Sequence, residues 1–410
     1  METILTSPGF RRLLVGRTSS FLATALIPTA LTLVVIQATG SASDLGLVLA
    51  AELVPQLLLL PVGGAIADRF SAQRVALGAD LVRGIAQLVI GVELILGSVR
   101  VVDLALLSAV TGAAIAFSIP TMSPLVNATV PAASRLRANS HLGVVRGVAF
   151  VAGPGIAGTF VITVGGGWSF VVTALLCVIA AVALGGIRAP AREQAPEDTS
   201  FFRDLADGWS EVRSRPWFWS NLLGHGAANL AAGVLMTLGP LIAVRDLGGE
   251  GSWVVIYQVG MAGMIGGALV APRLPVRRPL VATSVCGALL ALPLITFVAP
   301  APTWVNAAAY GIAMLGIGAL NTLWMTALQL NFPPHTLARA DSYDQLLSLS
   351  ARPLGLAVAA PMATLAGTAT PLLASAALVV IVNLAIIALP DVRSMRIERS
   401  QDQQSAPSPA

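Results

Sequence analysis

The stretch Pro131-Ala-Ala-Ser-Arg-Leu-Arg-Ala-Asn-Ser140 returns 202 residues later as Pro333-Pro-His-Thr-Leu-Ala-Arg-Ala-Asp-Ser342. The match continues without a gap through Gly153 and its counterpart Gly355. A second echo, at a spacing of 208, pairs residues 8–23 with residues 216–231. Two strongly apolar halves of about 200 residues are typical of duplicated membrane transporters, in which the binding site lies between the repeats.

The composition supports a membrane protein. Hydrophobic residues make up 56% of the chain and charged residues only 11%, whereas a soluble globule carries roughly 25% charged residues. The 24 basic residues are all arginine and the net charge is only +4, so we expect no nucleic-acid partner. The two cysteines, Cys177 and Cys286, lie in apolar runs without a partner pattern, and we expect neither a metal nor a cofactor.

The apolar runs predict twelve membrane-spanning helices, because one crossing needs ~20 apolar residues. Gly- and Pro-rich breaks separate the twelve. The fold class expected is therefore an all-α membrane protein with two pseudo-symmetric six-helix bundles. The predicted spans 1 to 12 are residues 11–38, 44–67, 74–97, 101–127, 138–164, 168–187, 217–244, 252–272, 279–299, 303–330, 338–366 and 370–390.

The arginines predict the orientation of the chain. The termini and the even-numbered connections between spans hold 18 arginines, against only Arg100 and Arg245 in the odd-numbered connections. Because cytoplasmic loops are enriched in Arg and Lys, both termini are expected in the cytoplasm. The expected location is the inner membrane of a bacterial cell.

The chain divides into four predicted segments. Residues 1–187 and 216–390 form the two bundles, and residues 391–410 form a disordered cytoplasmic tail. The linker, 188–215, carries Phe201, Phe202, Leu205, Trp209 and Val212 at helical spacing. This pattern predicts an amphipathic helix on the inner membrane surface, with a flexible linker as the alternative.

The turn between spans 2 and 3 reads Gly63-Gly64-Ala-Ile-Ala-Asp68-Arg69-Phe-Ser-Ala-Gln-Arg74. Glycines allow two helices to approach closely, and Asp68 can face the positive end of a neighbouring helix. The stretch resembles the signature loop of the major facilitator superfamily, in which Gly-x-x-x-Asp-Arg is followed by basic residues. A turn that only carries positive-inside arginines is the alternative.

Further segments of the first half narrow the resemblance. Phe10-Arg-Arg-Leu-Leu, Asp80-Leu-Val-Arg83 and Phe202-Arg-Asp-Leu-Ala-Asp-Gly208 are similar to the branch that contains bacterial macrolide-efflux and enterobactin-exporter proteins. The resemblance implies an efflux transporter with the major facilitator fold. It departs from many proton-coupled drug exporters in one respect, because span 4 has no arginine.

Span 5 carries Gly153-Pro154-Gly-Ile-Ala157-Gly158, which is similar to the Gly-Pro-x-x-Gly-Gly element of antiporters with Ala157 at one glycine position. Pro154 removes a backbone donor and bends the helix, while the small residues allow close packing. The alternative is a kink without any meaning for the direction of transport.

Charges inside the membrane are costly unless they are paired or hydrated, so they indicate function. Glu52 lies roughly 12 Å inside span 2, with Gln56 one turn later, and Arg352 lies roughly 20 Å inside span 11. Spans 2 and 11 meet between the halves in the superfamily that the chain resembles. We therefore expect Glu52 and Arg352 to form an outer gate; alternatively each charge occupies its own polar pocket.

Polar stripes on other spans are candidates for the substrate and proton pathway. His225 aligns with Arg17 in the 208-residue echo, and histidine titrates near neutrality, so it is a candidate proton carrier or a hydrogen-bonded packing residue. The remaining candidates are polar and lie on spans 1, 7 and 8: Thr29, Thr32, Asn229, Tyr257 and Gln258.

These patterns favour a monomeric secondary-active exporter of a small, largely apolar compound, exchanged for protons by alternating access. An importer with the same fold and a non-transporting sensor remain alternatives. The chain has no Gly-x-x-x-x-Gly-Lys-Ser/Thr loop for ATP. An intramembrane enzyme is not favoured, because the three histidines are isolated.

Overall fold

The computed structural model describes residues 7–131, 134–187, 215–274, 276–299, 301–332, 343–344 and 346–395. Within these ranges, twelve helices are long and apolar enough to cross a bilayer. The all-α, twelve-span fold predicted from the sequence is therefore confirmed. The six spans of the first half are Pro8–Thr39, Ala42–Arg69, Ala72–Leu96, Val101–Thr129, Arg135–Thr163 and Gly166–Gly185.

The second half repeats the pattern after the linker. Its spans 7 to 12 are Pro216–Asp246, Glu250–Val270, Pro279–Thr296, Thr303–Asn331, Leu346–Ala366 and Ala369–Ala388. Span 4 passes through a single 3-10 turn at Ile119–Thr121, where Pro120 cannot donate a backbone hydrogen bond. Span 9 is divided into Pro279–Ala288 and Ala291–Thr296.

Two predicted segments lie wholly or partly outside the described residues. The linker helix at 201–212 is one of them. The tail at 391–410 is described only to Met395, and its first residues correct the prediction of disorder. Pro390–Ser394 forms a short helix whose Val392 is fully buried in an apolar cluster with Trp217 and Phe332.

Short turns on the side away from the termini keep consecutive spans antiparallel. Gly40 ends span 1 with a φ of 60°, a left-handed conformation that glycine adopts without a steric cost, and its N–H donates to the Ile36 carbonyl. Ser41 then caps span 2, because its side chain accepts a hydrogen bond from the Asp44 N–H at 3.2 Å. Two residues are thus enough to reverse the chain.

The two halves use the same helix pairs. In the first half span 1 packs on spans 5 and 6, span 2 on span 4, and span 3 on spans 4 and 6. In the second half span 7 packs on spans 11 and 12, span 8 on span 10, and span 9 on spans 10 and 12. The same pairing of helices in both halves matches the internal sequence repeat. The halves are therefore pseudo-symmetric six-helix bundles.

The outer surface of the bundles is strongly apolar. Large hydrophobic side chains on many spans are more than half exposed, among them Leu58, Leu96, Val182, Trp304 and Leu365. A water-soluble protein rarely shows such continuous apolar surface. This surface is suited to contact with lipid, as the composition predicts.

The halves touch mainly through spans 2 and 11 and through spans 5 and 8. We call the side where span 1 begins the terminal side and the opposite side the distal side. The close contacts between the described residues of the two halves lie toward the distal side of these helices. A β-carbon built at Gly46 would lie 2.4 Å from the Leu356 carbonyl oxygen, and one built at Gly158 would lie 2.4 Å from a Val254 methyl group. We call this contact region the distal seal.

The distal rim adds polar bonds between the halves. Gln37 of span 1 donates a 2.8 Å hydrogen bond to the Glu250 carboxylate of span 8. Arg245 donates a 2.8 Å hydrogen bond to the carbonyl of Gly40. The distal ends of the two bundles are therefore held together by backbone contacts and by two exposed polar bonds.

On the terminal side each bundle has its own apolar cluster. One cluster in the first half includes Phe10 and Leu125, and another in the second half includes Phe218 and Leu328. Among the described residues these two clusters share no member, whereas the large cluster near the distal side contains residues of both halves. Within the residues that the structure describes, the bundles are therefore joined distally and share no apolar cluster on the terminal side, and we call the space between them there the cleft.

Candidate functional site

Glu52 and Arg352 lie at the closed end of the cleft. Glu52 is six residues, roughly 9 Å, past Gly46 on span 2, and Arg352 is four residues, roughly 6 Å, before Leu356 on span 11. Because Gly46 contacts Leu356, the two charged residues lie at similar depth, immediately on the terminal side of the distal seal. Both are half-buried.

Glu52 and Arg352 do not form a direct ion pair. Among the described residues, no side-chain nitrogen of Arg352 lies within 4.0 Å of a Glu52 carboxylate oxygen. The expected gate is therefore not a closed salt bridge in this conformation, although the distal side is sealed. Its role in transport stays a prediction.

Close backbone packing fixes the position of each charge. A β-carbon at Gly112 of span 4 would lie 1.8 Å from the Glu52 carbonyl oxygen. One at Gly233 of span 7 would lie 2.5 Å from the Arg352 carbonyl oxygen, and one at Gly355 would lie 2.1 Å from the Leu230 carbonyl oxygen. Only glycine permits such approach of two helix backbones. The spans that carry Glu52 and Arg352 are thus held rigidly within their own halves.

An aromatic wall flanks this end of the cleft on the second half. The rings of Trp253, Tyr257 and Tyr310 follow one another, with centroids 5.9 Å and 6.2 Å apart. Trp253 and Tyr310 are buried, whereas Tyr257 is half-buried. Of these three rings, the half-buried Tyr257 is the one that can offer a face to an aromatic or amphipathic ligand.

Gln258 connects the same span to the Gly-Pro element of span 5. Its side-chain amide donates a hydrogen bond to the Val151 carbonyl, across the boundary between halves. Pro154 lacks an N–H, which leaves the Phe150 carbonyl in the preceding turn without its usual helical donor. The oxygen of the same amide, Gln258 Oε1, is buried without a hydrogen-bond partner among the described residues.

The glycines of this element serve two contacts. Gly153 packs against Ala25 of span 1, where an added β-carbon would lie 2.5 Å from the alanine methyl group. Gly158 packs against Val254 of span 8 in the distal seal. The element therefore lies both within the first half and at the contact between halves. Whether it sets the direction of transport stays a prediction.

Arg146 is a further cation within a membrane span. It lies eleven residues after the start of span 5, roughly 16 Å along the helix, and it is exposed. Its guanidinium lies 6.0 Å from the Phe21 ring centroid and 5.8 Å from that of Phe150. A cation at this depth is costly in lipid, and the two rings beside it offset part of that cost.

A separate set of charges is sealed inside the first half. Arg83 and Asp80 form a 3.1 Å ion pair, and their side chains are 2% and 0% exposed. Arg83 also donates to Thr24 at 2.8 Å, and Ser20 donates to Asp80 at 3.0 Å. Nearby, Arg17 donates to Ser118 and Thr121 of span 4. This network joins spans 1, 3 and 4 within one bundle.

The equivalent place in the second half holds a different pair. His225, the counterpart of Arg17, has its Nδ1 3.0 Å from Asp344 Oδ1. The Trp324 indole of span 10 donates to Asp344 Oδ2 at 2.9 Å, and its ring lies 4.9 Å from the imidazole. Asn229, one turn further along span 7, donates to the His225 carbonyl. The His225 and Asp344 side chains are each 11% exposed.

Asp344 is a residue that the sequence analysis missed. It lies within the predicted span 11, where any acidic residue is unusual, and its counterpart at the repeat spacing is the apolar Leu142. An acid that appears in only one copy of a repeat is the signal that would have found it. Its partner on span 7 was not predictable, because the pairing depends on how spans 7, 10 and 11 pack.

Other predicted pathway residues are placed as follows. Gln56 is half-buried, one turn from Glu52. Thr29 and Thr32 are 2% and 3% exposed, and their neighbours on span 1 belong to the large cluster that joins the halves. These threonines are therefore covered in this conformation, and they reach the cleft only if the distal seal opens.

The signature turn is described in part. Span 2 ends at Arg69 and span 3 begins at Ala72, so the turn is two residues long. A β-carbon at Gly63 would lie 2.5 Å from the Ala116 carbonyl oxygen, so spans 2 and 4 touch there. Arg74 is exposed at the start of span 3. The side chains of Asp68 and Arg69 and the surroundings of Gly64 lie outside what is described, so their roles stay predictions.

Comparisons with known proteins agree with this architecture. The Major Facilitator Superfamily profile matches residues 13–355. The chain is 28% identical over 388 residues to the multidrug efflux pump Tap of Mycobacterium tuberculosis, with 90% of each chain covered. It is 20% identical over 258 residues to macrolide efflux protein A of Streptococcus pyogenes, covering 62% of this chain and 64% of that protein.

Solved structures support the fold alone. The nucleoside transporter NupG superposes with a TM-score of 0.72 at 14% identity, covering 92% of this chain and 98% of that one. A bacterial homologue of the human lysosomal transporter Spinster, solved inward-facing and unoccupied, superposes with a TM-score of 0.69 at 16% identity, covering 94% and 96%.

Proposed function

The chain belongs to the major facilitator superfamily, and on that premise we propose that it exports a small, largely apolar compound in exchange for protons. It is a transporter of the multi-pass membrane class rather than an enzyme. The observation that carries the proposal is the cleft, which is closed at the distal seal and open on the terminal side. Such a cleft is one end state of alternating access.

The distribution of arginines supports the proposed direction of transport. Eighteen arginines in the termini and even-numbered connections favour a cytoplasmic terminal side in a bacterial inner membrane. The cleft then opens to the cytoplasm, which is the loading state of an exporter. The similar proteins from Mycobacterium tuberculosis and Streptococcus pyogenes, both named as efflux proteins, favour the same direction.

The residues that line the cleft support a small, largely apolar compound as the substrate. Among the described residues, the closed end of the cleft combines the Tyr257 ring with the anion Glu52 and the cation Arg352. Neither charge forms a direct ion pair with the other, so polar groups of a mostly apolar ligand can interact with both. We propose Glu52, Gln56, Tyr257, Gln258 and Arg352 as substrate contacts, joined by Thr29, Thr32 and Asn229 as the cleft changes shape.

The halves supply the moving parts. We propose that residues 1–187 and 216–390 rock as two bodies about the Glu52–Arg352 level, tethered by residues 188–215, with residues after Met395 as a cytoplasmic tail. Gly64, Asp68, Arg69 and Arg74 would stabilise one end state on the terminal side. Gly153, Pro154 and Gly158 would do so at the distal seal. A monomer is sufficient, because the cleft lies within one chain.

Transport in energised vesicles tests the proposal. Inside-out membrane vesicles that contain the chain are energised by a pH gradient with an acidic interior. Uptake is measured for ethidium, for radiolabelled erythromycin and for a broader panel of apolar antibiotics. We expect uptake that requires the chain and that stops when the pH gradient is dissipated. Accumulation in right-side-out vesicles instead would support an importer, and no transport of any compound would support a sensor. Either result would reject export.

A further inference from the structure

We propose that the coupled proton is carried by the His225–Asp344 pair of the second half, at the imidazole Nε2 atom. This inference rests on the proposed exporter function and identifies the residues that couple it to protons. It is carried by geometry: a titratable ring of span 7, a carboxylate at the start of span 11, and an indole of span 10 form one hydrogen-bonded cluster.

The hydrogen bonds define which atom binds the proton. A carboxylate accepts hydrogen bonds only, so the 3.0 Å contact to Asp344 Oδ1 places a hydrogen on His225 Nδ1. The second carboxylate oxygen is occupied by the Trp324 N–H. The free lone pair of neutral His225 is therefore on Nε2, which is buried without a partner among the described residues. A proton that adds to Nε2 gives an imidazolium ion beside a carboxylate.

Hydration links this proton to the movement of the halves. The protonated pair is neutral overall, whereas the deprotonated pair leaves one negative charge in a site of low polarity. An unpaired charge is costly in a dry site and tolerable in a hydrated one. The cluster lies on span 7 beside the open terminal side, and each side chain is 11% exposed. Opening of the terminal side therefore permits release of the proton, and closure favours its retention.

These two protonation states define the path of the proton in one transport cycle. Nε2 takes up one proton while the cluster communicates with the distal medium, and the proton leaves to the terminal side after the halves have rocked. The substrate moves in the opposite sense. No bond other than the Nε2–H bond is formed or broken, and the proton gradient supplies the free energy.

The other charged groups near span 7 are less suited to this role. Span 11 contributes Arg352, a permanent cation, and span 9 contributes Cys286; span 12 carries no ionisable side chain between Ala369 and Ala388. Span 8 contributes Tyr257, and spans 1 and 2 contribute Arg17 and Glu52 across the interface. The first-half counterpart of His225 is the permanently charged Arg17, which donates to the hydroxyl groups of Ser118 and Thr121. Among the described residues, a histidine paired with an acid is found in the second half alone.

The test uses the purified full chain in liposomes, with ethidium as the probe and His141→Asn as the matched control. His141 is an exposed histidine whose ring contacts the Arg137 carbonyl. In His225→Asn, accumulation of ethidium driven by a pH gradient should fall more than about tenfold, while exchange of ethidium without a gradient stays within about twofold. His141→Asn should keep both activities. The proposal is overturned if His225→Asn still accumulates ethidium, or if it also loses exchange, since the latter loss indicates a structural role.

A second measurement does not need a transported probe. Because the Trp324 ring lies 4.9 Å from the imidazole, protonation of His225 should quench the fluorescence of Trp324 as the pH is lowered. This titration should disappear in His225→Asn and in Trp324→Phe, and persist in His141→Asn. An unchanged titration in His225→Asn overturns the proposal. If the fluorescence of Trp324 changes with pH in this way but the wild type transports nothing, the proposed exporter function is wrong and the proposed proton site is retained.

Discussion

Asp80 and Arg83 lie one turn apart on span 3 and form a 3.1 Å ion pair that solvent does not reach. Their other bonds go to Ser20 and Thr24 of span 1, so the pair joins two helices of the same half. Glu52 and Arg352, by contrast, lie on different halves and are half-buried without a direct ion pair. The first relationship suits stability and the second suits transport.

Removal of one member of the sealed pair should destabilise the protein. Arg83→Ala leaves a buried carboxylate without its cation, and breaking a buried pair in this way costs roughly 3–5 kcal/mol. Thermal unfolding in detergent should show a clearly lower midpoint for Arg83→Ala, and a smaller loss for the double variant Asp80→Asn, Arg83→Gln. Exposed Arg100→Ala is the control and should unfold like the wild type. Equal stability of Arg83→Ala and this control would contradict the assignment.

Neutralisation of Glu52 should impair transport without destabilising the protein. Among the described residues, Glu52 forms no side-chain hydrogen bond or ion pair, so in Glu52→Gln the free energy of unfolding should change by less than about 1 kcal/mol. Transport should nevertheless fall more than about tenfold, because the change removes an anion from the closed end of the cleft. Asp246→Asn, which neutralises an exposed carboxylate, serves as the control. A stable Glu52→Gln protein with full transport would remove Glu52 from the pathway.

Enlargement of Gly46 should open the distal seal. A β-carbon there meets the Leu356 carbonyl at 2.4 Å, and a backbone atom cannot move aside as a flexible side chain does. In Gly46→Val, a thiol introduced as Thr32→Cys should react faster with a membrane-impermeant maleimide added from the distal side. Gly147→Val is the matched control, because nothing lies within 4 Å of a β-carbon at that position. Equal labelling of both variants would show that Gly46 does not maintain the seal.

The fold was largely predictable from the sequence because its signals are local. Runs of apolar residues, glycine-rich breaks and the internal echo gave twelve spans and two halves, and the bounds differ from the observed helices by a few residues. The exceptions have local causes: Pro120 introduces a 3-10 turn in span 4, and the residues around Val392 fold back because an apolar cluster accepts them.

The site was predictable only in part, because it depends on contacts between spans that are distant in sequence. Glu52, Tyr257 and Arg352 were identifiable as polar residues within apolar runs, and the structure brings them to one end of the cleft. Asp344 was missed, since its meaning depends on His225, 119 positions away. Thr29 and Thr32 matched a polar stripe, but a stripe does not indicate whether it faces the cleft or the seal.

A covalent link across the distal seal should trap the conformation described here. A β-carbon built at Gly158 lies 3.2 Å from the Val254 β-carbon, close to the separation of roughly 3.5–4.5 Å that a disulfide requires. In a Cys177→Ala, Cys286→Ala background, the pair Gly158→Cys and Val254→Cys should form a disulfide on mild oxidation, and ethidium transport should stop until a reductant is added. Gly147→Cys with Val254→Cys is the control and should neither cross-link nor lose transport. Undiminished transport by the oxidised Gly158–Val254 pair would mean that the bundles exchange substrate without separating at spans 5 and 8, which is incompatible with rocking about the Glu52–Arg352 level.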